Sequence, residues 1–328
     1  MKAGQVLRGY TVTTRPTNDG AGKCLWAVAE RDGEQFFVKE FLDPKRPVAG
    51  SMGSPESIGL RLAQCAEFER RHQAVMSRID PDDLDAGNLV VAVDFFAEGT
   101  RYYKVTRLLR PADLTDTSRL TPRQRAVLLG TLCDSLGLLH RLDIVHGDLK
   151  PQNILLHRPA GSGLYTAKLI DFDDSYVSGD PPSRDEVGGD ARYLAPEWLR
   201  YVRGERDTGP ERLTTAVDVF ALGLVVHTYL TGALPAVPTG HTSVAAAVDA
   251  GEEPGLDPDL EPELAAALRA VLVGDPARRP AVAELAPVLA TEALLALRRA
   301  APPIARDEPP APPPSRLRVN LTGRRGPG

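Results

Sequence analysis

At 328 residues the chain exceeds one small domain and suits two bodies with a sizeable core. Its 42% hydrophobic and 25% charged residues are ordinary globular composition, and a net charge of -5 gives no reason to expect nucleic acid or an anionic membrane as partner. Three separated cysteines, Cys24, Cys65 and Cys133, with no CxxC pair, suggest neither a disulfide framework nor a zinc site and fit a reducing, cytoplasmic compartment.

No apolar segment follows Met1, and the most apolar stretch, residues 216–230, falls short of a membrane helix and contains Asp218, so no membrane span is predicted. Only seven of the 39 basic residues are lysine, a bias that resembles a high-GC bacterial proteome.

Strand-like runs at residues 10–14, 25–29 and 35–41 are broken by turns at Asn18-Asp19-Gly20 and Arg31-Asp32-Gly33 and predict antiparallel strands. After a Pro/Gly/Ser loop, Cys65, Phe68, His72, Val75, Met76 and Ile79 recur at helical spacing. Residues 89–96 and 101–108 add two strands, completing a small sheet with one helix. Beyond residue 110 the pattern turns helical. Thr121-Pro122 is a start signal and Leu128, Leu132, Leu136 and Leu139 form a stripe. Residues 216–230 are apolar on nearly every side, as in a buried central helix, and helices are predicted at 261–273 and 281–299. From residue 301 proline and arginine dominate, predicting an extended or disordered tail.

The chemistry concentrates in Ile144-Val145-His146-Gly147-Asp148-Leu149-Lys150-Pro151-Gln152-Asn153 and in Leu169-Ile170-Asp171-Phe172-Asp173. Two loops thereby fix a carboxylate, a lysine and two candidate metal ligands, the parts phosphoryl transfer needs. Either run alone would read as a polar turn beside a buried strand. Together they resemble the catalytic loop HRDLKPxN and the metal loop DFG of the protein kinase family. Further resemblances follow in order: Phe36-Phe37-Val38-Lys39 to VAIK, residues 189–197 to GTxxYxAPE, Asp218 to Gly223 to DxWSxG, and Asp275 to Pro280 to DPxxRP.

That resemblance implies an α+β, bilobal kinase-like fold: an antiparallel N-lobe at 1–107, a mostly helical C-lobe at 108–300 and the tail at 301–328. It implies a serine/threonine protein kinase using ATP and Mg2+, with Mn2+ as a substitute. Asp148 would orient the substrate hydroxyl, Lys150 would neutralise the γ-phosphate, and Asn153 with Asp171 would hold the metal. Lys39 would bind the α- and β-phosphates and pair with a helix glutamate, Glu69 in preference to Glu67, although strict alignment puts His72 in that place. Thr106 would take the gatekeeper position, Leu108 and Leu109 would offer backbone groups to adenine and Leu155 would form its floor, although these residues also suit a plain core strand. Glu197 would pair with Arg279, and Asp218 would accept hydrogen bonds from the catalytic loop.

Gly20 and Gly22 offer an incomplete glycine loop that reads equally as a plain hairpin turn. Cys24 reads as a packed strand cysteine before a redox-sensitive one. Gly147 replaces the arginine that receives a phosphorylated activation loop, so activity independent of loop phosphorylation is expected, with alanine at Ser175, Ser178 and Ser183 together leaving turnover nearly intact. Asp173 replaces the DFG glycine, Asp190 a threonine facing Asp148 and Lys150, and Phe37 a small residue that packs on adenine. The expected partners are protein substrates bearing serine or threonine and an opposing protein phosphatase. A small-molecule phosphotransferase of aminoglycoside or choline type shares HGD and IDF but not DLKPxN or APE, and an ATP-binding pseudokinase scaffold is the non-enzymatic alternative.

Overall fold

The structure, a computed structural model, describes residues 1–19, 24–80, 84–114, 116–184, 189–205 and 208–298. Gly20, Gly22 and the tail at 301–328 lie outside the described residues. The chain forms two compact units, one of Met1–Glu67 and Ala92–Leu108, the other of Phe68–Val91 and Leu109–Ala300. The fold class is α+β, as expected.

The first unit is built on a six-stranded antiparallel sheet in the order β1-β2-β3-β4-β6-β5. Its strands are β1 (Val6–Leu7), β2 (Tyr10–Val12), β3 (Cys24–Arg31), β4 (Glu34–Phe41), β5 (Ala92–Glu98) and β6 (Arg101–Arg107). Residues two apart share a sheet face, so Ala27, Ala29, Phe36, Val38, Tyr103 and Val105 gather into one core with Tyr10 and Phe96. The other face carries Trp26, Lys39 and Lys104, which register places opposite one another. The turn between β3 and β4 falls at Asp32 and Gly33, both at positive φ, as the Asp-Gly signal predicts. Cys24 is buried on β3, which bears out its reading as a packed residue.

Helix α1 (Pro55–Met76) begins ten residues before its predicted apolar stripe. Leu60 and Leu62 in those early turns are exposed, so no core-facing periodicity announces them. Ser54 accepts from the Ser57 N–H at 3.2 Å and supplies the start.

The second unit packs α3 (Pro196–Arg203), α5 (Val244–Asp249) and further helices around α2 (Pro122–Arg141) and α4 (Ala216–Thr231). Thr121 and Gln124 form a reciprocal capping box at the start of α2, and the predicted leucine stripe is buried. From Val217 to Val226 every residue of α4 is buried. Gly223 lets it approach α6 (Pro262–Val271) closely, because a Cβ there would meet Val271 at 2.6 Å. The helix predicted at 281–299 ends early: α7 (Val282–Leu289) contains Pro287, and a 3-10 turn at Glu292–Leu295 follows. Burial pushes the Cys133 thiol of α2 up to about 12. Among the described residues no helix is long and apolar enough to cross a membrane.

Candidate active site

The candidates Asp148, Lys150, Asn153 and Asp171 of the second unit sit on loops at the ends of short strands β7 (Ile144–Val145), β8 (Ile154–His157) and β9 (Thr166–Leu169). Their common support is Asp218, 1% exposed on the apolar helix α4. A buried carboxylate must find donors. Asp218 takes the N–H of His146 at 2.8 Å, the N–H of Gly147 at 3.1 Å and Nε2 of His140 at 3.1 Å. The catalytic loop is therefore hung from the central helix, as the sequence led us to expect; the His140 contact was not foreseen.

His146 joins the two loops. Its Nε2 lies 3.2 Å from the Ile170 carbonyl, Nδ1 accepts from Asp148 N at 3.4 Å, and its ring packs on Phe172. Ile170 N donates in turn to Asn153 O at 3.0 Å, so both backbone groups of Ile170 are bound to the catalytic loop, one residue before Asp171. Asp171 has a φ of +64°, a left-handed conformation in which aspartate is enriched among non-glycine residues.

Asp148, 9% exposed, is surrounded by donors. Lys150 Nζ reaches Oδ2 at 2.5 Å, Asn153 Nδ2 reaches Oδ2 and the backbone carbonyl at 2.8 Å each, and Asp190 N reaches Oδ1 at 3.2 Å. With Nδ2 committed to Asp148, the amide oxygen of Asn153 points elsewhere. A hard amide oxygen and a carboxylate such as that of Asp171 are the kinds of ligand Mg2+ takes, one or two at a time, together with substrate phosphates. Among the described residues no three His, Cys, Asp or Glu cluster as a metal cage, and this mode of binding needs none.

Asp190 contributes its backbone to Asp148, while its carboxylate turns to Arg192, which donates from Nε at 3.0 Å and from Nη2 at 2.6 Å. The hydrogen-bonded Arg192 guanidinium holds Asp190 below the usual carboxylate range, and the charge of Lys150 assists. Gly147, Asp148, Asp190, Tyr193 and Trp198 line a small opening of about 10 Å³, roughly the room of one water.

Glu197, at the start of α3 (Pro196–Arg203), and Arg279 form the expected pair. Two parallel bonds of 2.5 and 2.8 Å join them, with the glutamate 1% and the arginine 8% exposed. Arg279 also donates to the carbonyls of Ala216 and Val273, fastening α3 to the start of α4.

Gly147 does more than omit an arginine. Its φ is +79°, and a Cβ would lie 2.4 Å from the Asp174 carbonyl oxygen. Ser175 needs a correction: it is 5% exposed, and its hydroxyl donates to the His146 carbonyl at 2.9 Å. It belongs to the loop scaffold, so its alanine variant would confound a test of loop phosphorylation.

In the first unit Lys39 lies half-buried on β4, opposite Lys104 of β6, and Thr106 is opposite Phe37. Phe37 stacks on Trp26 with ring centroids 5.3 Å apart, and Leu108 N donates to Gln35 O at 3.1 Å. The remaining candidates, Glu69 on α1, Leu109, and Leu155 on β8, are half-buried in the second unit. His72, the aligned alternative to Glu69, is buried and has Nδ1 3.0 Å from the Phe68 carbonyl.

This arrangement is a buried carboxylate with a lysine and an asparagine at hydrogen-bond distance, on a loop suspended from one buried aspartate. A sequence model of the protein kinase domain matches residues 73–288, well over half of the chain, and the chain belongs to that family. It is similar to a probable myosin light chain kinase of Dictyostelium discoideum, 30% identical over 156 residues, covering 46% of this chain and 48% of the relative. It is similar also to the serine/threonine-protein kinase ppk6 of Schizosaccharomyces pombe, 32% over 146 residues, 43% and 17%. A third similarity is to the phosphorylase b kinase gamma catalytic chain, liver/testis isoform, of Bos taurus, 26% over 223 residues, 66% and 50%. The chain spans half or less of the length of these relatives. Lys39 and Glu69 fall before the matched range.

Proposed function

We propose that the chain is a serine/threonine protein kinase that transfers the γ-phosphate of ATP to protein hydroxyl groups. The observation that carries this reading is Asp148, a buried carboxylate held by Asn153 and Lys150 at hydrogen-bond distance. One oxygen of Asp148 would accept the proton of an incoming hydroxyl while Asn153 keeps the carboxylate oriented. Lys150 would neutralise the transferring group. ATP with Mg2+, or Mn2+ in its place, would supply the phosphoryl group and shield its charge. Asn153 and Asp171 would hold the metal. Lys39 would engage the α- and β-phosphates with Glu69 as its partner, Thr106, Leu108, Leu109 and Leu155 would surround adenine, and Gly20 and Gly22 would approach the phosphates through their amides.

On this reading residues 1–107 form the N-lobe, 108–300 the C-lobe and 301–328 an appended tail. The lysine-poor composition supports a bacterial source, and HGD and DFD mark a variant of the family. A cytoplasmic setting and an opposing protein phosphatase complete the proposal. Gly147 supports activity without loop phosphorylation, because no arginine waits there for a phosphate. Alanine at Ser178 and Ser183 should then leave turnover within about twofold, since substitutions away from structural features are nearly neutral. A tenfold loss would overturn that part.

The deciding experiment is phosphorylation from labelled ATP by wild type and Asp148→Asn, with sites mapped by mass spectrometry. Phosphoserine or phosphothreonine from wild type alone supports the reading. Transfer only to a panel of small alcohols would indicate a small-molecule phosphotransferase, and nucleotide binding without any transfer a pseudokinase.

A further inference from the structure

From Ser175 to Asp180 the chain is tied down by its own groups at successive residues. Ser175 binds the His146 carbonyl at 2.9 Å. Tyr176 and Val177 pair with Val145 and Ile144. Ser178 N donates to Asp143 O at 2.9 Å and Gly179 N to Leu213 O at 3.1 Å. The next residue is held through its side chain: Arg70 on α1 donates from Nη1 to Asp180 Oδ2 at 2.8 Å. Both residues belong to the second unit, although 110 positions separate them.

Two further features give this contact a consequence. Pro181 and Pro182 follow Asp180 and are buried, and Tyr201 donates to the Pro182 carbonyl at 3.1 Å. Proline fixes φ and stiffens the residue before it, so a displacement at Asp180 carries forward along the segment. Kinase loops ordered by phosphorylation gain a negative charge that arginine then holds. Here Asp180 encodes that charge in the chain, and Gly147, closed against the Asp174 carbonyl, has no room for an arginine.

We propose that Arg70 and Asp180 are a positioning pair, an ion pair encoded in the sequence that ties α1 to the activation segment in place of a loop phosphate. This rests on the kinase reading and names how the same site is regulated: its segment is held by sequence and not by modification. The tie is exposed, 48% on the arginine side and 51% on the aspartate side, so its strength falls with ionic strength.

The test is a double-mutant cycle of Arg70→Gln, Asp180→Asn and the double variant, read by hydrogen exchange of amides 176–180 and by turnover. Each single variant should exchange faster by about two- to fivefold, the range of an exposed ion pair. The double variant should lose no more than either single one, and the difference from wild type should shrink as salt is added. Turnover should fall in parallel while KM for ATP stays constant. Exchange equal to wild type in either single variant, additive losses in the double variant, or unchanged turnover despite faster exchange would each overturn the proposal. A wild type that transfers no phosphate would remove the kinase reading, and the exchange cycle would still decide whether the tie exists.

Discussion

Asn153 donates from one amide nitrogen to both the carboxylate and the backbone carbonyl of Asp148, at 2.8 Å each. The asparagine is thereby a brace for the carboxylate, in addition to the metal-ligand role proposed for its oxygen. Asn153→Asp keeps a hard oxygen but loses the donor and sets two carboxylates against each other. It should lower kcat as far as Asn153→Ala does, about 10²- to 10⁴-fold, the usual scale for a misplaced acid–base group. Steady-state kinetics on both variants, with circular dichroism melting as a folding control, checks this. Near-normal kcat in Asn153→Asp would show that only the oxygen matters.

The Glu197–Arg279 pair is buried on both sides. Removing one partner strands the other charge away from water, so Glu197→Ala and Arg279→Ala should each cost about 3–5 kcal/mol of stability. Arg279→Lys should recover little, because an ammonium cannot make the two parallel bonds. Urea midpoints at constant m-value measure the loss.

Gly147 combines a φ of +79° with a 2.4 Å approach of any Cβ to Asp174 O. Gly147→Ala should destabilise by about 1–3 kcal/mol, the cost of a strained non-glycine backbone, and Gly147→Arg should be no better. Restoring the family's usual arginine is therefore expected to damage the protein, not to create dependence on loop phosphorylation. A melting temperature equal to wild type for Gly147→Ala would contradict this.

His227 of α4 is held with Nδ1 2.8 Å from the Ala233 carbonyl and Nε2 accepting from Asp257 N at 3.0 Å. Burial lowers its pKa below the ordinary 6.5, against smaller upward effects of the bond to Ala233 and the charge of Asp257. The unfolded chain takes up this proton first as pH falls. The stability His227 contributes is therefore complete above about pH 6.5 and is lost as pH drops from there through the folded-state pKa. His227→Gln should be less stable at pH 7.5 and show a shallower decline on acidification, read from urea midpoints between pH 7.5 and 5.

The legible part of the protein was the part whose physics is local or repetitive. The leucine stripe of α2, the Thr121-Pro122 start and the apolar run of α4 follow from periodicity and capping. Asp218 could be read as a hub because a carboxylate on an apolar helix has few alternatives. The first turns of α1 were not legible, since their exposed leucines follow no core-facing period. Ser175 and His140 escaped for a different reason: their partners are a carbonyl and a carboxylate far along the chain. The Arg70–Asp180 contact and the opposed Lys39 and Lys104 likewise depend on tertiary register, which single-residue patterns do not encode.

Suspending a reactive loop from one carboxylate of the innermost helix blurs a familiar distinction. A methyl group removed from the hydrophobic interior around α4 can tilt that helix and shift His146 and Gly147 with it. Such a variant would register in the laboratory as a kinetic defect although every group that touches the reactants is intact.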